Sequence, residues 1–107
     1  MKPLNLDQLR ASVRASQIEW RRHVLQKLAE RGLQRREVLD VLLSGERIRD
    51  YGEDRPFPSA LFLGYVSDKP IHVVAACDEC SGRVFIITAY EPSLDIFEPD
   101  YRTKRKL

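Results

Sequence analysis

The sequence predicts an α+β domain in which N-terminal helices pack on an antiparallel meander sheet of three or four strands. Two observations predict it. Apolar residues recur at helical spacing up to Ser44, and from Arg47 to Tyr90 they fall in strand-length runs. Those runs are joined by short connections rich in Pro, Gly, Asp and Ser, which suit hairpins and leave no room for crossover helices. The 107 residues, 43% of them apolar and 32% charged, fit one domain with a modest core. Residues 1–45 form its helical part, 46–92 its sheet, and 93–107 an acidic segment followed by a basic tail.

Each element has its own signal. In "LNLDQLRASVRAS", Leu6, Leu9 and Val13 define a first helix. In "IEWRRHVLQKLAERG", Trp20, Val24 and Leu28 define a second, widened by Ile18 and Leu25 and stopped by Gly32. The two are read as separate helices or as one bent near Ser16. "RREVLDVLLS" is a third helix ahead of Gly45, although Gln34 is a poor N-cap for it. "RIRDY" is a short strand. "EDRPFPS" is a loop, because Pro56 and Pro58 cannot donate ladder hydrogen bonds. "ALFLGYV", "IHVVAAC" and "RVFIITAY" are strands, separated by "SDKP" and "DECSG".

The last two strands are apolar on both faces. Ile71, Val73, Ala75 and Cys77 alternate with His72, Val74 and Ala76, and Val84 and Ile86 alternate with Phe85 and Ile87. Such a sheet must be covered twice. The helices cover one side, and either a partner or the segment around Phe97 covers the other.

Net charge is only +2 but unevenly spread. From Arg14 to Arg36 seven basic residues face two acidic ones, and from Tyr51 to Asp100 three face nine. The tail "YRTKRKL" is basic again. This distribution gives an electrostatic footprint for RNA, set against the plainer reading of solvated helix faces. No stretch has the length of a signal peptide's apolar region or a membrane span. A cytoplasmic protein with no membrane partner and with free thiols is therefore expected.

His72 is the residue out of place, an imidazole in an apolar strand. A structural histidine and a working one are both open. With a three-residue turn it lies opposite Thr88 and shares a face with Tyr90. With a two-residue "SG" turn it does not. On the second helix His23, Lys27 and Arg31 are spaced i, i+4, i+8 and span a sector of roughly 80°. Arg31 falls at the edge of the apolar arc and is expected to be partly buried, where a guanidinium needs an acceptor. The plain alternative is a set of long side chains rimming a buried face.

Together these groups suit metal-independent RNA cleavage. In that reaction the 2′-OH attacks the adjacent phosphate, an acid protonates the leaving 5′-oxygen, and cations hold the phosphorane charge. His72 or His23 would carry protons with Tyr90 as a second donor, and Lys27, Arg31 and Arg83 would stabilise charge. No cofactor motif is present.

Cys77 and Cys80 form a CxxC that could join His23 and His72 as zinc ligands. Those histidines are 49 positions apart, unlike the compact ligand pairs of structural zinc. Redox use is disfavoured because the CxxC sits in a β-turn with Asp78 and Glu79 between its cysteines, and these charges raise a thiol pKa.

The stretches "HVLQKLAERGLQRREVLDVLLSGERIRDY", "RPFPSALFLGY", "IHVVAACDE" and "RVFIITAYEP" resemble, in order and spacing, a bacterial family of small uncharacterised domains placed with RelE/MqsR-like toxins. The resemblance spans His23 to Pro92, and its pattern keeps His23, Glu30–Gly32, Tyr51, Pro58–Ser59, His72 and Tyr90–Pro92. Lys27 stands where arginine is common and Gln34 where a capping serine is usual. The resemblance implies a RelE/microbial-RNase-like fold and a toxin–antitoxin setting, with a protein antitoxin that commonly carries a zinc-finger domain. The expected function is a toxin-like endoribonuclease. The alternative is a non-catalytic protein-binding module with structural histidines.

Overall fold

The computed structural model describes residues 3–106. Leu107, the end of the basic tail, lies outside them, as do Met1 and Lys2. Helix α1 (Leu6–Arg14) starts at Asn5, whose side chain accepts the Gln8 N–H at 3.0 Å, an N-cap that satisfies one of the free donors of the first turn. It ends before Ser16, which takes a positive φ of 60° and turns the chain away. The two helices are therefore separate.

Beyond that turn the structure departs from the predicted pattern. Ile18 and Glu19 form a two-residue strand, β1, and α2 begins only at Arg22 (Arg22–Glu30). The edge of the last strand needs partners, and β1 supplies them: Ile18 lies beside Val84 and Glu19 beside Phe85 in a parallel pair. The Val84 N–H also donates to the Gln17 carbonyl at 2.9 Å. Tertiary pairing overrides the helical spacing of Ile18, whose β-branched side chain suits a strand.

Helix α2 is stopped by Gly32 just past its cap, where a φ of +69° is open to glycine, with the Leu33 N–H reaching the Leu28 carbonyl at 2.9 Å. Helix α3 (Arg35–Ser44) has the predicted bounds. Its weak N-cap is offset by Glu37, whose carboxylate accepts the Gln34 N–H at 2.8 Å. At its C-terminus Arg10 donates to the carbonyls of Leu42 (3.0 Å) and Gly45 (2.8 Å), where cations are favoured.

Four strands follow: β2 (Glu46–Tyr51), β3 (Ser59–Val66), β4 (Lys69–Asp78) and β5 (Arg83–Tyr90). They form the expected antiparallel meander, and β1 extends it into an open, mixed sheet of five strands in the order β1-β5-β4-β3-β2. The sheet has five strands where three or four were predicted, and β1 was missed because a two-residue strand carries no periodic signal.

The two faces are covered differently. Phe62, Ile71, Val73, Ala75, Val84 and Ile86 point to the helices and join one core with Leu9, Val13, Val24, Leu28, Val38 and Leu42. On the other face, the segment after Tyr90 folds back. Phe97 bridges to Lys104 and is itself buried. The Arg105 N–H donates to the Ile96 carbonyl at 2.8 Å, and Asp100 closes the turn by accepting from the N–H groups of Arg102 and Thr103 and from the Thr103 hydroxyl. Those three bonds hold the Asp100 carboxyl down at about 2. Of the two covers left open by the sequence, the segment around Phe97 takes the centre of this face. Ile87, Leu94 and Ile96 stay 44–49% exposed.

A mixed-charge cleft beside Tyr90

Two strand neighbours organise the candidate site. The β4–β5 turn occupies the four residues between Asp78 and Arg83, and a bulge between the Val74↔Thr88 and Ala75↔Ile86 pairs leaves Ile87 unpaired. His72 therefore lies opposite Tyr90, not Thr88. Neither turn length considered from the sequence gives this register, but the shared face results because directly opposed residues point the same way.

His72 is fully buried. Its Nε2 lies 2.7 Å from the Tyr101 carbonyl oxygen, and its Nδ1 lies 3.4 Å from the Tyr90 hydroxyl. A carbonyl only accepts, so Nε2 carries the hydrogen and Nδ1 offers its lone pair to Tyr90. Phe97 packs edge-on against the imidazole, with centroids 4.7 Å apart. Burial lowers the His72 pKa from its usual value; the Tyr101 bond opposes this and the Arg49 charge adds to it. The result is a neutral imidazole behind Tyr90. Burial raises the Tyr90 pKa, as does nearby Tyr51, while Arg31 opposes them, so the phenol keeps its proton.

The half-buried Tyr90 borders a cleft of about 390 Å³ together with Arg31, Lys69, Glu37 and Glu91. Arg31 is the C-cap of α2. It is exposed and not partly buried as its helical position predicts, because it stands past the last helical residue; its guanidinium still finds acceptors, donating to the Ala89 carbonyl at 2.8 Å and reaching the Thr88 hydroxyl at 3.4 Å. Ala89 lies on the stretch of β5 beyond its pairing with β1, so Arg31 ties α2 to that edge.

The other predicted residues lie elsewhere. His23 is exposed and borders a separate groove of about 190 Å³ with Arg21, Arg55, Phe57 and Phe85. Lys27 sits between the groove and the cleft along α2, exposed and 3.5 Å from the Glu30 carboxylate. Arg83 stands at the opposite end of β5 from Tyr90, paired with Glu19 at 3.2 Å. The structure thus brings together His72, Tyr90 and Arg31, places His23 and Lys27 further along the α2 face, and leaves Arg83 apart. In the tail, Arg102 pairs with Glu46 at 2.6 Å and Arg105 with Glu98 at 2.7 Å, which partly neutralises the expected basic patch.

Sequence reasoning missed Lys69 and Glu91. Glu91 follows Tyr90 directly, but neither residue stands out from ordinary solvated charges until the fold puts both on one cleft. Cys77 is in the core, with burial and the charges of Glu79 and Asp78 pushing its thiol up to about 11, whereas Cys80 is exposed. The two thiols therefore face different surroundings. Among the described residues no cluster of His, Cys, Asp or Glu has metal-binding geometry, and no helix is long and apolar enough to cross a membrane.

The fold and cleft define a small α+β domain with a tyrosine hydroxyl set among cationic and carboxylate side chains. Residues 20–91 match the domain of unknown function DUF4258, and the chain belongs to that family. The match runs from Trp20 through Glu91 and so takes in Arg31, Lys69, His72 and Tyr90, while α1 and the C-terminal hairpin fall outside it. No curated protein and no solved structure matches the chain.

Proposed function

We propose that this protein is a metal-independent endoribonuclease of the toxin type, acting at the Tyr90 cleft. The observation that carries the reading is the meeting of the Tyr90 hydroxyl, backed by buried His72, with Arg31 and Lys69 on one cleft. The resemblance of the segment from His23 to Pro92 to a bacterial family of small uncharacterised domains placed with RelE/MqsR-like toxins supports it and implies a protein antitoxin as the neutralising partner. The exposed α2 face of His23, Lys27 and Arg31 supports RNA as substrate, since cations along a helix suit a phosphate backbone.

The roles follow from chemistry. The Glu91 carboxylate takes the proton of the 2′-OH, whose oxygen attacks the adjacent phosphorus. Arg31 and Lys69 hold the charge gathering on the phosphoryl oxygens. The bond from phosphorus to the 5′-oxygen breaks, and the Tyr90 hydroxyl turns its hydrogen from His72 Nδ1 to that oxygen and gives up its proton there. The products are a 2′,3′-cyclic phosphate and a 5′-hydroxyl. His72 does not touch RNA; it positions the Tyr90 hydroxyl through Nδ1.

Purified protein should cleave single-stranded RNA in EDTA and leave cyclic phosphate ends. Tyr90→Phe should lower the rate about 10²–10⁴-fold, and Arg31→Ala about 10²–10³-fold, both in folded protein. Cleavage that is absent, or equal in all three proteins, contradicts the proposal.

A second reading has its own support. His72 is fully buried with both ring nitrogens engaged, as in a purely structural histidine, and Ile87, Leu94 and Ile96 are exposed. A non-catalytic module that binds a protein would show no cleavage, and Tyr90→Phe would change only its stability.

A further inference from the structure

The groove at the N-terminal end of α2 has a composition that the cleavage chemistry does not use. Phe57 and Phe85 stack with centroids 5.3 Å apart and 10° between their planes. The Arg21 guanidinium stands 5.8 Å from the Phe85 centroid. Both rings are only half-buried, and Ile87 beside them is 44% exposed. Arg21, His23 and Arg55 are all exposed at this groove. Asp54, its one carboxylate among the described residues, accepts the Ser59 hydroxyl through Oδ2 at 2.5 Å. Two half-buried aromatic rings bordered by two exposed arginines and an exposed histidine complement a ligand that is planar and apolar in its body and anionic at its edge. A nucleotide has that form, with stacking for the base and arginines for the phosphate.

Position adds to composition. His23 borders the groove and Arg31 the Tyr90 cleft. Eight residues of helix separate them, about 12 Å along the axis, with Lys27 between. On β5 the step from Ile87 to Tyr90 covers about 10 Å. The helix and the strand therefore measure the same short span between groove and cleft. We propose that the groove bounded by Phe57, Phe85, Arg21 and Arg55 is a nucleobase subsite for single-stranded RNA, holding a base near the phosphate at the Tyr90 cleft. This inference rests on the ribonuclease reading for its substrate.

The test uses the whole protein and 2′-O-methyl oligonucleotides, which lack the attacking hydroxyl. Binding is read by fluorescence anisotropy, with a single abasic site moved along the strand. One abasic position should weaken binding by about 5- to 150-fold, the range of one lost base–aromatic stack. Phe57→Ala should bind the intact strand as weakly and should no longer distinguish that position. Arg55→Ala, a surface change, should weaken binding of every sequence and reduce the salt slope by about one.

The abasic scan needs no altered protein, so it decides the matter even where Phe57→Ala unfolds. If no position matters, or if Phe57→Ala binds like the parent, the subsite is overturned, while Tyr90-dependent cleavage would keep the ribonuclease reading. No binding and no cleavage removes both. NMR shifts at Phe57 and Phe85 caused by a protein partner, but by no oligonucleotide, would also overturn the subsite and assign the groove to protein docking.

Discussion

The two faces of the sheet are built on different rules. The face toward the helices is apolar throughout, from Phe62 on β3 through Ile71, Val73 and Ala75 on β4 to Val84 and Ile86 on β5. The opposite face carries a buried imidazole, Phe97 packed edge-on against it, and apolar side chains left partly in solvent. Its cover is a hairpin held by polar bonds. Arg49 donates to the Arg102 carbonyl at 2.9 Å, and His72 donates to that of Tyr101. One face joins the helices in the main apolar core. The other trades apolar packing for polar groups whose positions are fixed by hydrogen bonds, and it is the face that leads to Tyr90.

That contrast can be broken by substitution. Phe62→Ala should cost the most, about 3–5 kcal/mol of unfolding free energy, through lost burial and the cavity left behind. Denaturant unfolding would measure it. His72→Leu on the other face should cost less, about 1–3 kcal/mol, because it leaves the Tyr101 carbonyl without its donor. If His72→Leu proved as costly as Phe62→Ala, the hairpin face would be a second core and the contrast would fall.

The smallest effect is a pH dependence. Burial, with Arg49 nearby, holds the folded His72 pKa below its unfolded value against the Tyr101 bond. The unfolded chain takes up the proton below about 6.5, and the folded chain resists it until a lower pH. Stability should therefore fall as pH drops through that window. Thermal unfolding at pH 7.5 and pH 5 would show it, and His72→Leu should flatten the part of the slope that His72 contributes.

Much of the helix face was legible because one physical rule governs it. Val38, Val41 and Leu42 recur at helical spacing, and α3 has the predicted bounds. Strands β4 and β5 were visible as apolar runs bounded by Pro70 and by the turn at Gly82. What escaped depends on non-periodic interactions. Strand β1 exists because an edge of β5 was open. The four-residue turn and the bulge at Ile87 together put His72 opposite Tyr90 and not Thr88. The hairpin cover depends on Asp100 binding its own turn. At the site, Arg31 and Tyr90 were read from helix spacing and strand position, whereas Lys69 and Glu91 needed the fold. His23, Lys27 and Arg83 share a chemistry with the cleft but not its location, since a sequence gives residue types without distances.

The most direct test of the central claim is RNA cleavage in EDTA by the parent protein and by folded Tyr90→Phe, with the product ends analysed. The account predicts 2′,3′-cyclic phosphate ends and a rate at least about 10²-fold lower in the variant. Equal rates in the two proteins, or no cleavage by the parent, would contradict it.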